Sequence, residues 1–528
     1  MINVICPGSR AHAGEIVALA FVRSCSTHLV TRSSIHQMDY LAQTDTPSCW
    51  VLIDPLNDWA DSIIAALSTF NSKIIVFGAL PPKLAQHLNV AISPVSDALV
   101  DAAKCAPAIS GKFSQSAATV RYISALGTKA SPMQERSFLR YDFTDEWNNL
   151  GYGPIHVDVT YSSIWGLAQS VVASPFNVIA EVQANHVTLS TYAGIWDTLQ
   201  SSLLWFNRAV GPVDSQEWAL VEHFIANYRS AELSCWPVLR EIPYGFDAAV
   251  TMRLDCDEDV ESARPLWEAY RAMDVPFSLA LHATVLADPI HHALPKVVLA
   301  HGGALLSHTA THAPDWGGSY EVAFVEGTTS AACIVDATAY RVKYAVSPFH
   351  QTPGYARAAL ADAGYAGCIG GIIRNDPDFL TARSGQVPQA GEGFIGHSQQ
   401  CMLHGDCVLQ DADPHAVFKQ AFDISKAGGA FFGYLDHPFS PRYQYGWQTE
   451  TQRIEFHQAF VGYMKQTKNV LFCNETDAMD FLHYRSSIRT SVAGAQYAIA
   501  PCAKVTPWAV AVEYRGNVLE VTADGVLL

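Results

Sequence analysis

Four acidic side chains fall within five residues, Asp255, Asp257, Glu258 and Asp259, at the end of the largely apolar run Ala248-Ala249-Val250-Thr251-Met252-Arg253-Leu254. Carboxylates crowded at a strand end repel one another unless a cation neutralises them. The plainer reading is a solvated acidic turn that caps the helix expected over Glu261–Met273, since a helix N-terminus favours negative charge. Further on, Ser307-His308-Thr309-Ala310-Thr311-His312 sets two imidazoles four residues apart. On a helix or helical turn both rings leave one face and can grip one ion. The chain has 20 histidines, so two ordinary surface residues are the alternative. Two imidazole nitrogens with one carboxylate leave positions open for water and substrate, as a catalytic site requires.

An acid-tipped strand belongs to a βα unit, where catalytic groups gather at strand C-termini. From near Pro243 to about Arg485, strand-like and helical runs alternate in this way. Earlier, Ile2–Cys6, Val51–Asp54 and Lys73–Phe77 read as strands and Asp58–Thr69 as a helix, a doubly wound α/β pattern. That region holds neither a GxGxxG nor a GxxxxGK[ST] loop, so it is expected to be structural or to bind a partner. Strands are expected over Ile155–Thr160 and Asn177–Ser190, and a helix over Trp218–Tyr228 from its apolar residues Trp218, Val221, Phe224 and Ile225. Beyond Ser487, Trp508–Tyr514 and Val518–Val521 suggest a terminal β-element. The expected division is therefore a flavodoxin-like or Rossmann-like α/β domain over residues 1–150 and a mixed α/β extension or small β domain over 151–242. A (β/α) barrel over 243–486 and a small C-terminal β-element over 487–528 complete it.

At 528 residues, 49% hydrophobic and 16% charged, the chain can bury large cores. Its net charge of -17, without any Lys/Arg-rich run, argues against nucleic acid and against docking on anionic lipid. No uninterrupted apolar stretch reaches the ~20 residues of a membrane span. Glu15 interrupts the one early apolar stretch, so no signal peptide is expected. Twelve scattered cysteines without CxxC pairs suit free thiols in a reducing compartment, which gives the cytoplasm as the expected location.

The motif set resembles the polysaccharide deacetylases of carbohydrate esterase family 4, the NodB-homology family. Asp255 and Asp257 resemble its first motif, in a DxD variant, and His308-Thr309-Ala310-Thr311-His312 matches its second at every defined position. Val346-Ser347-Pro348-Phe349-His350, ahead of Tyr355–Tyr365, is similar to the third, a Pro-aromatic turn before a helix. The family's arginine just before that turn is missing here, and Arg253, Arg341 or Arg374 is left to supply its charge. Gly433-Tyr434-Leu435-Asp436-His437-Pro438 resembles the fifth, a strand ending in Leu-x-His. The resemblance covers roughly residues 244–485.

The resemblance implies a deformed (β/α) barrel of the NodB-homology type. It implies Asp255 as general base, Asp257, His308 and His312 as ligands of one divalent ion, and His437 as general acid. His404 rivals His437, while Glu258 and Asp259 rival Asp257. Zinc is the expected ion because two imidazoles and a carboxylate suit it, and cobalt, nickel or iron also fit such a set. Pro348, Phe349, Trp316 and Trp447 are the expected substrate contacts, and backbone N–H groups around Phe349 are implied for the oxyanion. The implied reaction is removal of acetyl from an N-acetylated sugar in a glycan or glycan precursor. An amidase of a non-sugar C–N bond is one alternative. A catalytically silent glycan-binding protein is the other, suggested by the missing arginine.

Overall fold

The computed structural model describes the 528-residue chain except residues 42–46, 70, 95, 98–100, 102–117, 125, 127–133, 138–166, 212–214, 351, 371–382, 392, 399–400, 406–407, 409–412, 494–495 and 502–505. The strand expected over 155–160 and Arg374 lie outside the described residues.

Residues 2–206 contribute to one nine-stranded sheet. Five parallel strands lie in the order Val30–Arg32, Ile2–Ile5, Ser48–Ile53, Ser72–Phe77, Ser201–Phe206. Counted among themselves along the chain, this is the 2-1-3-4-5 order of flavodoxin-like sheets. Ser48–Ile53 and Ser72–Phe77 are buried at every residue, as strands covered on both faces must be. The sheet continues antiparallel through Val187–Asp197, Val178–Ala184, Thr119–Tyr122 and Glu135–Ser137. The single strand expected over Asn177–Ser190 is instead a hairpin. Asn185 and His186 take φ of 50° and 62°, the left-handed pair that suits a two-residue turn between twisted strands. Because strands from both sides of residue 150 share this sheet, the boundary expected there does not separate two sheets. Helix Ser215–Ala226 buries Trp218, Val221, Phe224 and Ile225 in the same core.

The second sheet runs in the order Gly385–Gln386, Ile395–Ser398, Gly367–Gly370, Tyr344–Val346, Ala304–Ser307, Ser278–Leu281, Ala248–Cys256, Phe432–Asp436, Cys401–Met402, with Val470–Phe472 paired to the start of Ala248–Cys256. All its pairings are parallel except that of Gly385–Gln386. Helices between the strands make these βα units. No pairing among the described residues joins the two ends, so among these residues the strands follow an open path.

Side chains alternate along Ala248–Cys256, and the alternation divides structure from chemistry. Ala248, Val250, Met252, Leu254 and Cys256 face the large core beneath the helices. Ala249 faces a second core with Ala280, Leu306, Val346, Ile369 and Ile395, covered by Ala478, Met479, Phe481 and Leu482 of helix Glu475–Ser487. The residues that follow Ala249 on that face are Thr251, Arg253 and Asp255, all buried. One end of this face is thus filled by a helix and the other is lined by polar groups.

The two sheets meet along a polar seam. Arg383 Nη2 donates to Glu222 Oε2 at 2.6 Å, and Ser384 Oγ donates to Glu241 Oε1 at 2.6 Å. The buried Arg485 guanidinium donates to the carbonyls of Arg23, Leu239, Arg240 and Ser384. The C-terminal β-element is tied into this framework, since Val510–Tyr514 pairs with Asn517–Val521 and also with Val238–Leu239. Most of the cysteines among the described residues are buried, and none of these forms a disulfide. No helix among the described residues is long and apolar enough to cross a membrane.

Candidate active site

Asp257 stands one residue beyond the central strand, where pairing has ended and the chain bends. Its Oδ1 lies 3.4 Å from His308 Nε2 and 3.4 Å from His312 Nε2. One donor atom from each of these residues falls within 4.8 Å of the others. Asp257 Oδ1 is buried and has no hydrogen-bond partner. An orphaned buried carboxylate oxygen between two imidazole nitrogens has the donor chemistry of a divalent-ion site. Burial would raise the Asp257 pKa, but His308, His437 and His312 outweigh it and hold the carboxyl well below the usual range. His282, just after strand Ser278–Leu281, donates its Nε2–H to the Asp257 carbonyl and so fixes the backbone there.

The histidines do not sit on a helix, contrary to the expectation from their spacing. They occupy the loop after strand Ala304–Ser307, in which Thr309 and His312 take φ of 66° and 56°. These left-handed residues curl the loop so that both rings reach one point, with centroids 4.8 Å apart. Glu326, buried on helix Tyr320–Thr338, holds the curl. Its Oε2 accepts from Ala310 N at 2.8 Å and Thr311 N at 2.9 Å, and its Oε1 accepts from Thr311 Oγ1 at 2.8 Å. His308 Nδ1–H donates to the Val346 carbonyl at 3.2 Å, which leaves Nε2 as its electron-pair donor. Burial and the neighbouring His308 push His312 down to about 4, so it is neutral at pH 7, as a ligand must be. Burial opposes protonation of His308, but Asp255 and Asp257 together raise its value. A bound cation would take the place of that proton.

Arg253 proves to be the cation beside Asp255. Its Nε donates to Asp255 Oδ1 at 2.7 Å and its Nη2 to Oδ2 at 3.3 Å, while Nη1 donates to Glu475 Oε1 at 3.3 Å. The geometry follows from strand alternation, which puts residues two apart on one face. Burial would raise Asp255, but Arg253, then His308 and His437, hold it below the usual carboxylate range. Burial raises Glu475 to about 7, against the pull of Arg253. Of the other candidates for this charge, Arg341 is exposed.

Glu258 and Asp259 stand apart from the centre. Asp259 accepts from Glu261 N at 3.0 Å and Ser262 N at 3.3 Å, capping the helical turn Glu261–Ala263, and Glu258 pairs with the exposed Arg442 at 3.7 Å. Within the acidic run, Asp259 thus caps the helical turn, whereas Asp257 faces the two imidazoles. His437 follows strand Phe432–Asp436, with Nε2 3.5 Å from Asp257 Oδ2. The buried Asp436 fixes its backbone, accepting from His437 N at 2.7 Å and pairing with His457 at 3.0 Å, while Arg453 donates to the His437 carbonyl. His404 lies farther back, its ring edge-on to Tyr445 at 6.2 Å, and Tyr445 in turn stacks on His437.

Three expected substrate contacts need correction. Trp316 is completely buried, packed in the large core after a left-handed turn. Trp447 is likewise a core residue, and its indole N–H donates to Asp436 Oδ1 at 3.4 Å. Pro348 is buried too. Phe349, with φ of 51°, is 45% exposed and lies 4.6 Å from the His312 ring. Tyr443, 41% exposed, and Tyr445 stand on the other side of the centre, by His437. Sequence reasoning passed over Glu326, Glu475 and Tyr445. None of the three stands in a motif that marks it as a site residue.

No family model matches the chain, and no curated protein matches it. Solved structures do. One assigned as a polysaccharide deacetylase from Mycobacterium smegmatis is 12% identical, over 46% of this chain and 92% of its own, with a TM-score of 0.36. A Puue allantoinase is 15% identical, over 47% and 94%, at a TM-score of 0.36. A family 4 acetyl xylan esterase from Clostridium thermocellum, in complex with a cobalt ion, is 12% identical, over 44% and 91%, at a TM-score of 0.28.

Proposed function

We propose that the chain is a metal-dependent deacetylase that hydrolyses the N-acetyl amide of an amino sugar. The observation that carries this reading is the unpartnered, buried Asp257 Oδ1 set 3.4 Å from each of two imidazole nitrogens, beside a separately held carboxylate, Asp255. A divalent ion held by Asp257, His308 and His312 would lower the pKa of water and polarise the acetyl oxygen. Asp255 remains ionised beside Arg253 and accepts the proton of the attacking water as general base. Arg253 also fixes the direction of that carboxylate with two donors from one guanidinium. In this reading His437 protonates the departing amine, and the stacking of its ring on Tyr445 supports that role. Phe349 on one side and Tyr443 on the other offer exposed faces to a sugar ring.

The silent glycan-binding reading drew its strength from the absent arginine ahead of Pro348, and Arg253 supplies that charge from the central strand instead. Zinc is the expected ion, with cobalt as a spectroscopic substitute. The test is acetate release from an N-acetylglucosamine oligomer by the purified chain, with and without added zinc or cobalt. A small cyclic amide is assayed in parallel. Turnover of the cyclic amide alone would transfer the assignment to a non-sugar amidase, and a chain that binds the ion but releases nothing would defeat the hydrolase reading.

A further inference from the structure

The loop after His437 is built to hold one side chain over the centre. Ser440 N donates to the Tyr443 carbonyl at 2.8 Å, Tyr443 N donates back to Ser440 Oγ at 3.1 Å, and Gln444 Nε2 donates to the Ser440 carbonyl at 2.8 Å. Tyr445 and Gly446 then take φ of 48° and 76°. A left-handed tyrosine persists only where its surroundings impose it. Here Gly405 does so. Gly405 N donates to the Tyr445 carbonyl at 3.0 Å, and a Cβ at Gly405 would stand 2.1 Å from the Gly446 carbonyl carbon, so only glycine lets the two segments meet.

This backbone aims Tyr445 at two members of the site. Its ring lies 4.1 Å from that of His437 with 9° between the planes. Its hydroxyl reaches Asp257 Oδ2 at 3.5 Å, the outer limit of a hydrogen bond. The two oxygens of Asp257 are thereby divided. Oδ1 faces His308 and His312, and Oδ2 faces Tyr445 and His437.

We propose that Tyr445 is a positioning residue with two separable actions: its hydroxyl turns Asp257 so that Oδ1 faces the two histidines, and its ring fixes the plane of His437. The proposal deepens the reading of the Asp257–His308–His312 centre and rests on it. The hydroxyl acts on ion binding, as hydrogen-bond partners of metal ligands generally do. The ring acts on proton delivery.

The test uses the full chain and the variants Tyr445→Phe and Tyr445→Leu. Zinc and cobalt affinities are measured by chelator competition, kcat and KM with an N-acetylglucosamine oligomer at saturating ion, and folding by circular dichroism. Tyr445→Phe is expected to bind ion about 10- to 100-fold more weakly, the range for lost partners of metal ligands. Tyr445→Leu is expected to show the same affinity loss and a further drop of about tenfold or more in kcat, without a matching rise in KM. Wild-type affinity in Tyr445→Phe overturns the hydroxyl's action. Equal kcat in the folded Phe and Leu variants overturns the ring's. Should Tyr445→Leu not fold, Tyr445→Trp takes its place, and the ring's action then requires kcat close to that of Tyr445→Phe. A wild-type chain that takes up neither ion overturns the centre itself, whereas failure on the sugar with normal ion uptake leaves the affinity comparison decisive.

Discussion

At the scale of single residues, two carboxylates two positions apart have been given different neighbours and therefore different work. Asp257 faces imidazoles and Asp255 faces a guanidinium. His308→Ala and His312→Ala are each expected to abolish ion uptake, which metal analysis of the purified variants would show. Asp255→Asn should retain the ion and lose about 10²- to 10⁴-fold in kcat, the usual worth of a general base. Undiminished turnover in that variant would remove Asp255 from the role. Arg253 compensates two buried carboxylates, so Arg253→Ala leaves both uncompensated and is expected to cost about 3–5 kcal/mol in urea unfolding as well as activity. The residue types and spacings of Asp255, Asp257, His308 and His312 were legible in the sequence because each stands in a short local motif. Arg253 was legible as one of three candidates, and only strand parity, known once the strand is known, selects it.

At the scale of elements, the sequence revealed which segments are strands far better than how loops curl. Ile2–Ile5, Ser48–Ile53 and Ala248–Cys256 are apolar enough to be recognised, and each falls close to its expected place. The His308–His312 spacing suits a helix or helical turn, but i and i+4 spacing also arises when left-handed residues bend a loop, and no residue type marks Thr309 or His312 as left-handed. Trp316 and Trp447 were misassigned for a related reason: an aromatic ring can fill a core or line a site, and only tertiary packing decides. Glu326 shows what such loops need. It satisfies two backbone N–H groups and a hydroxyl from a neighbouring helix. Glu326→Ala is expected to destabilise the fold by about 1–3 kcal/mol, the cost of unpaired buried donors. It should also weaken ion binding roughly tenfold, since His312 lies in the same loop. Thermal midpoints and chelator titrations would register the two effects separately.

At the scale of the whole molecule, the units read from the sequence as consecutive domains share a buried polar seam. His397 belongs to it, 3% exposed, with Nδ1 2.7 Å from Ser384 Oγ and 3.8 Å from Glu241 Oε1. Burial lowers it to about 4, despite Glu241. An unfolded histidine takes up its proton near pH ~6.5. Between those values the unfolded chain is protonated there and the folded chain is not, so stability is present above ~6.5 and is lost as the pH falls towards 4. The full window is worth about 3 kcal/mol. Urea midpoints of the wild type should therefore decline between pH 7 and pH 4.5, and those of His397→Asn should start lower at pH 7 but decline less. A parallel decline in both would assign the acid sensitivity to other groups.

Helix Glu475–Ser487 touches both ends of this arrangement. Its first residue holds the Arg253 guanidinium, and Arg485, near its last turn, holds carbonyls of both sheets' segments. Ten residues of helix make a rod about 15 Å long. Such a rod transmits displacement as a lever does. Loosening the far end, as in Arg485→Leu, should tilt the near end and change how firmly Asp255 is gripped, so that a side chain remote from the two imidazoles is expected to alter kcat for the proposed amide hydrolysis.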